Sequence, residues 1–194
     1  MQVHDLESAR ARLFVLLEEL AFQRRKVKLS SGGEANFYFD CKQVTLAAEG
    51  ALLVGHVLLG RIEAYQSRTG RIVGGVGGLT LGADPIATAV AFASAVADRP
   101  LPAFIVRKEP KGHGTGVYLE GLGNLPAGGE LVVVEDVVTT GSSALKAAVR
   151  VREAGFVCHH VLALVDRLEG GQETLAAEGL TLDALFSRGD FVTS

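Results

Sequence analysis

Leu131-Val132-Val133-Val134-Glu135-Asp136-Val137-Val138-Thr139-Thr140-Gly141-Ser142-Ser143 is the stretch on which the fold turns. Four apolar, mostly β-branched residues lead into two adjacent carboxylates and then into a hydroxyl- and glycine-rich loop. An unbroken apolar run of this kind, without polar alternation, marks a strand buried on both faces of a parallel sheet. Outward from it, Arg71–Val76, Ala103–Val106 and Val161–Val165 read as further short strands, the first running into glycines. Helical spacing fills the gaps: 47–63, Asp84 to Val96, and Ser142 to Ala154, closed by Gly155. Asp84 followed by Pro85 predicts an N-cap with proline at the first helical position. Strands alternating with helices give an α/β fold around a central parallel sheet.

Residues 5–22 place Leu6, Leu13, Leu16, Leu17 and Leu20 on one helical face. Residues 26–42 read as extended chain about a turn at Ser30-Ser31-Gly32-Gly33, followed by the aromatics Phe37-Tyr38-Phe39. Both segments precede the alternation, so 1–45 is expected to contribute a cap, 46–170 the α/β core and 171–194 a C-terminal extension. All three belong to one domain of 194 residues, a length that buries a core without staples.

With 19 basic and 22 acidic residues the net charge is -3, which argues against a nonspecific nucleic-acid binder. Two cysteines, Cys41 and Cys158, give neither a disulfide framework nor metal-ligand spacing. The first twenty residues mix charge among leucines, unlike a signal peptide. No apolar run is long enough for a membrane span. A cytoplasmic protein with no membrane or nucleic-acid partner is the expectation.

The loop after the paired acids is where chemistry concentrates. Free backbone N–H groups at a helix start, flanked by the hydroxyls of Thr139, Thr140, Ser142 and Ser143, form an anion site. The lysine and spacing of a Walker loop are missing. Carboxylates beside a phosphate cradle repel the phosphate itself. They suit sugar hydroxyls, or a cation that travels with phosphate. A second cluster, Val106-Arg107-Lys108-Glu109-Pro110-Lys111-Gly112-His113-Gly114, packs four basic side chains into a glycine-flanked loop. Such a loop can order over a polyphosphate. Ligands in an open parallel sheet sit at the carboxyl ends of strands, so the loops after Val76, Val106 and Val134 are expected to converge.

The acid pair and its Thr/Gly/Ser loop resemble the phosphoribosyl-pyrophosphate motif of type I phosphoribosyltransferases. Arg107, Lys108, Lys111 and His113 match the catalytic loop of the orotate phosphoribosyltransferase family. Leu29–Asp40 looks like that family's base-lining segment, and Asp166-Arg167 like its carboxylate-binding arginine. The resemblance spans residues 27–167. It departs from one branch at Ser30, where a lysine stands in that branch, with Lys28 nearby here. It departs again at Gly77–Pro85, which lacks a Tyr-Lys pair.

What the resemblance implies is a type I phosphoribosyltransferase fold with a hood and a transfer of ribose 5-phosphate to orotate. Val137, Val138, Thr139, Thr140, Gly141, Ser142 and Ser143 would hold the 5'-phosphate, and Glu135 and Asp136 the ribose hydroxyls. Arg107, Lys108, Lys111, His113 and Asp136 would be catalytic. Thr139, Arg167, Tyr38 and Phe39 would orient orotate. Magnesium would arrive on the pyrophosphate with no direct protein cage. A homodimer would place the 107–120 loop in the neighbouring site. A transferase for another base and a phosphoribosyl-pyrophosphate-sensing regulator are the competing readings. The second lacks a helix-turn-helix before residue 27. His159-His160 reads as partly exposed strand, His56 as surface or dimer contact, and Tyr118 as a residue that packs when the loop closes.

Overall fold

The computed structural model describes residues 5–25, 27, 28, 34, 35, 37–110 and 117–192. Helix α1 (Leu6–Leu16) is capped by the Asp5 carboxylate, which accepts from the N–H groups of Glu7 and Ser8. Its last turn widens into a π-helical turn, Leu17–Ala21. Four short strands follow, β1 (Phe22–Gln23), β2 (Val27–Lys28), β3 (Glu34–Ala35) and β4 (Tyr38–Phe39). They pair antiparallel as β1 with β4 and β2 with β3. The chain continues through α2 (Lys42–Thr45), α3 (Ala48–Thr69), β5 (Val73–Leu79), α4 (Ala83–Val96), β6 (Ala103–Val106) and β7 (Leu119–Glu120). It ends in β8 (Glu130–Val138), α5 (Ser142–Glu153), β9 (His160–Asp166), α6 (Gly171–Ala177), β10 (Thr181–Ser187) and α7 (Arg188–Val192).

Six strands form the central sheet in the order β10-β9-β8-β5-β6-β7. All neighbours are parallel except β7, which runs antiparallel to β6. The apolar run Leu131–Val134 lies in β8, flanked by β5 and β9. Its side chains alternate between two cores: Val132 and Val134 face the α1, α3 and α4 side, Leu131 and Val133 the α5 side. Each such side chain contributes about 1.5–3 kcal/mol relative to exposure.

The elements run longer than the apolar patterns that predicted them. Strand β8 continues to Val138, so Glu135 and Asp136 lie within the ladder and not beyond it. Pairing of Val138 with Asp166 carries the strand that far. Strand β5 runs to Leu79 because its glycines permit close neighbours. A Cβ on Gly77 would lie 2.1 Å from the Phe104 carbonyl oxygen, and one on Gly78 would lie 2.2 Å from that of Val134. Helix α3 extends to Thr69. Asp84 is not the N-cap of α4: Gly82 holds that position with no side-chain cap. The Asp84 carboxylate instead accepts from Thr80 Oγ1 at 2.5 Å.

The two ends of the chain meet. Phe191 of α7 is fully buried against Phe14 of α1 (4.9 Å between centroids), Phe39 of β4 (5.0 Å) and Phe22 of β1 (5.7 Å). A polar cluster lies at the opposite end of the sheet. Tyr65 donates to Glu130 Oε1 at 2.5 Å, and Arg71 donates to Oε2 at 3.1 Å. His160 is buried, not partly exposed. It stacks on Tyr65 at 4.1 Å, and its Nδ1 lies 2.7 Å from Thr181 Oγ1. Its Nε2 has no hydrogen-bond partner among the described residues.

Burial pulls the His160 imidazole down to about 4, against the opposing pull of Asp183. An unfolded histidine titrates near 6.5, so between those values the unfolded chain binds more protons. The contribution is complete above pH 6.5 and is lost as pH falls toward 4. It amounts to up to about 3 kcal/mol. The urea midpoint should therefore fall steadily between pH 6.5 and 4, and less so in His160→Phe. Parallel pH profiles for the two proteins would refute this assignment.

Candidate active site

The carboxyl ends of β5, β6, β8 and β9 lie side by side, since Leu79 pairs with Val106 and Val138 with Asp166. This edge collects the loops that the sequence singled out. The first is the cradle between β8 and α5. Gly141 has φ of 80°, the left-handed region that glycine tolerates. A Cβ there would lie 3.0 Å from the Gly171 carbonyl oxygen, so the loop rests directly on the start of α6. Gly171 is equally confined, its Cβ position lying 2.7 Å from Thr139 O. No side chain caps the start of α5, which leaves the amides of its first turn facing a pit of about 20 Å³. Glu135, Val137, Val138, Thr139, Gly141, Ser142, Ser143 and Ala144 line that pit. Thr140 Oγ1 donates to Ser142 Oγ at 3.3 Å beside it.

The adjacent acids stay within reach of one another, and their surroundings differ. Glu135 faces the cradle and is only 6% exposed. Burial first, and then the charge of Asp136, push its carboxyl well above the usual carboxylate range. Its Oε2 is buried without a hydrogen-bond partner among the described residues. Asp136 turns toward the β5–α4 loop, where a Cβ on Gly82 would lie 2.7 Å from its Oδ1. That same oxygen accepts from the Val137 amide at 2.9 Å.

Arg107 leaves the end of β6 at the root of the basic loop. Its amide donates to Tyr118 O at 2.7 Å, and its guanidinium pairs with Glu120 at 3.1 Å. Lys108 is exposed beside it. Lys111 and His113 lie outside the described residues, as does Ser30. Tyr118 packs at the loop's far root, with the Arg150 guanidinium of α5 3.6 Å from its ring centroid. Sequence reasoning missed Arg150. It also pairs with Glu153 at 2.7 Å on α5.

Arg167 follows β9, and its amide donates to Val138 O at 2.9 Å, tying it to the head of the cradle. Its side chain is buried, ion-paired to Glu169 at 2.7 Å, and lies 4.9 Å from the Phe37 ring centroid. Its Nε has no hydrogen-bond partner among the described residues. Tyr38 is half-buried under Arg25. The Phe39 ring is turned into the aromatic core, which leaves backbone as that residue's means of meeting a ligand. Phe37, not Phe39, is the aromatic in contact with Arg167. The aromatic run was visible in sequence, but which ring faced outward was not.

A central parallel sheet under an antiparallel hood, with an anion cradle after a strand carrying paired acids, defines the type I phosphoribosyltransferase class. No protein-family model matches the chain. An orotate phosphoribosyltransferase of Nostoc sp. is 48% identical over 183 residues, 94% of this chain and 85% of that protein. One of Rhodopirellula baltica is 44% identical over 181 residues, 93% of each. Among solved structures, Mycobacterium tuberculosis orotate phosphoribosyltransferase in complex with 5-phospho-α-D-ribosyl 1-diphosphate superposes with a TM-score of 0.74 at 37% identity. That match covers 94% of this chain and 98% of the other. The chain belongs to the orotate phosphoribosyltransferase family.

Gly141→Ala tests the cradle. An alanine in the left-handed region costs roughly 1–2 kcal/mol, which lowers Tm by roughly 2–8 °C in a domain of this size. Binding of inorganic phosphate, followed by calorimetry, should weaken in the same variant. Unchanged phosphate binding would place the anion elsewhere.

Proposed function

We propose that the edge of β8 and β9 transfers ribose 5-phosphate from phosphoribosyl pyrophosphate to orotate. The products are orotidine 5'-phosphate and pyrophosphate, a step toward UMP. One observation carries the assignment of residues: the Arg167 amide bonds to the end of β8, so a carboxylate-binding arginine stands at the head of a phosphate cradle. The amides and hydroxyls of Thr139 to Ser143 take the 5'-phosphate. The Asp136 carboxylate, free of a cation partner among the described residues, accepts from a ribose hydroxyl. Glu135, with its raised affinity for a proton, lines the same pit. Arg167 engages the orotate carboxylate through parallel hydrogen bonds, displacing Glu169, and the backbone of 37–39 positions the ring.

Breaking the C1–O bond leaves positive charge on the ribose and negative charge on pyrophosphate. Positioning and charge stabilisation are then the protein's main tasks. Arg107, Lys108, Lys111 and His113 neutralise the leaving group, and closure of their loop excludes water from the activated sugar. Magnesium keeps its waters and arrives on the substrate pyrophosphate, and no group of three or more His, Cys, Asp or Glu among the described residues gathers to cage it. When bound, magnesium would supply charge neutralisation on the pyrophosphate. The two buried thiols, Cys41 and Cys158, fit a reducing, cytoplasmic setting.

Orotate absorbance should fall only when phosphoribosyl pyrophosphate and magnesium are both added. Reaction of uracil, adenine or hypoxanthine in place of orotate would overturn the base assignment. Lys111→Ala should lower kcat by about 100-fold or more with an unchanged circular dichroism spectrum. Near-normal turnover would remove that loop from the mechanism.

A homodimer is part of the same reading. An apolar groove of about 1210 Å³ runs between α3 and α4. Leu46, Leu81, Phe92 and Val96 along it are 68–71% exposed, and apolar patches of this extent mark contact surfaces. The groove reaches Leu81 and Asp84 at the active edge, so a second copy seated there could offer its 107–120 loop to this site. Phe92→Asp should shift the protein to monomer in sedimentation and reduce turnover with it. A variant still dimeric at micromolar concentration would move the interface.

A further inference from the structure

Arg188 opens α7, and its guanidinium carbon lies 5.6 Å from the centroid of the Phe37 ring. The guanidinium carbon of Arg167 lies 4.9 Å from the same centroid. Two cations therefore share one phenyl ring, which attracts both and neutralises neither. They differ in every other respect. Arg167 is buried and has the Glu169 carboxylate at 2.7 Å. Arg188 is exposed, and no carboxylate among the described residues lies within ion-pairing distance of it.

The position of Arg188 is fixed from both sides. The Asp190 carboxylate accepts from Ser187 N at 2.7 Å and from Ser187 Oγ at 3.0 Å, which locks the turn from β10 into α7. Phe191, three residues on, is fully buried in the aromatic core. Arg25 adds a further cation 5.0 Å from the Tyr38 centroid. The aromatic segment thus has a positive rim on a chain whose net charge is -3.

Resting on the assignment of Arg167 to the base carboxylate, we propose that Arg188 is a specificity-determining residue. It is a second, solvent-facing cation at the mouth of the base site that recruits carboxylate-bearing bases over neutral ones. The attraction acts on encounter across several ångströms of water, so it is screened by salt. A neutral planar base gains nothing from it. Arg167 provides the final bidentate contact, and Arg188 raises the local concentration of the anion that makes it. The C-terminal helix, remote in sequence from every motif of the family, thereby takes part in choosing the base.

Steady-state kinetics on Arg188→Gln, Arg188→Lys and Arg167→Gln test this with the full chain. Arg188→Gln should raise KM for orotate about 3- to 10-fold at low salt, with kcat and KM for phosphoribosyl pyrophosphate within about twofold. The gap should narrow as salt is added, and Arg188→Lys should recover most of it. Unchanged orotate KM in Arg188→Gln, alongside a raised KM in Arg167→Gln, overturns the role of Arg188 alone. A lower Tm with both substrates' constants shifted overturns it in favour of a structural α7. Unchanged orotate KM in Arg167→Gln overturns the base-site assignment and the role of Arg188 with it.

Discussion

The burial of β8 between β5 and β9 is the constraint on which everything at the active edge depends. A strand in that position is paired on both sides and packed on both faces, so its direction and register leave little freedom. Two carboxylates placed inside such a ladder cannot retreat to solvent. Glu135 is consequently buried and proton-loving, while Asp136 is turned toward Gly82, which has no side chain to compete for the space. Neither carboxylate has an ion-pair partner among the described residues, a pattern that clusters at functional sites.

The same strand sets the cradle. Where β8 ends, the left-handed Gly141 reverses the chain into α5, and Gly171 supports it from below. Small residues on the inner face of α5, Ala144, Ala147 and Ala148, let that helix lie close to the sheet. The first-turn amides are held by backbone packing, not by flexible side chains. A site of this kind needs no rearrangement to receive an anion. The lysines of the 107–113 loop, by contrast, are attached to a hairpin whose root is fastened by Arg107 to Glu120 and by Tyr118 to Arg150. In the proposed reaction the cradle would hold the part of the substrate that does not react, and the basic loop would meet the part that leaves.

The parallel sheet, its helices and the cradle were legible because each rests on a local signal. Apolar runs mark buried strands, and a glycine among hydroxyls marks a helix start without a side-chain cap. The ends of elements were not legible. Glu135 and Asp136 look like loop residues until the β9 ladder is known, and Asp84 looks like a cap until Thr80 is seen to occupy its carboxylate. The burial of His160 was hidden for the same reason, since its environment comes from Tyr65 and Thr181, far away in sequence. What failed in each case was the assumption that a residue's neighbours in the chain are its neighbours in space.

The aromatic cluster carries that point furthest. Phe14, Phe22, Phe39, Phe186 and Phe191 come from both ends of the chain and pack into one core beneath the hood. Short two-residue strand pairs are barely stable alone, so the hood owes its shape to this packing. The backbone proposed to face the base is therefore held by residues beyond the last recognisable motif. On the proposed reading, affinity for the base depends on the integrity of the C-terminal helix. In the proposed site the cradle stands at the end of β8 and the base segment on the aromatic core, and Phe39, Phe186 and Phe191 share one hydrophobic cluster with Val132 and Val134 of β8. Arg167 spans cradle and base segment, its amide bonded to the end of β8 and its guanidinium over Phe37.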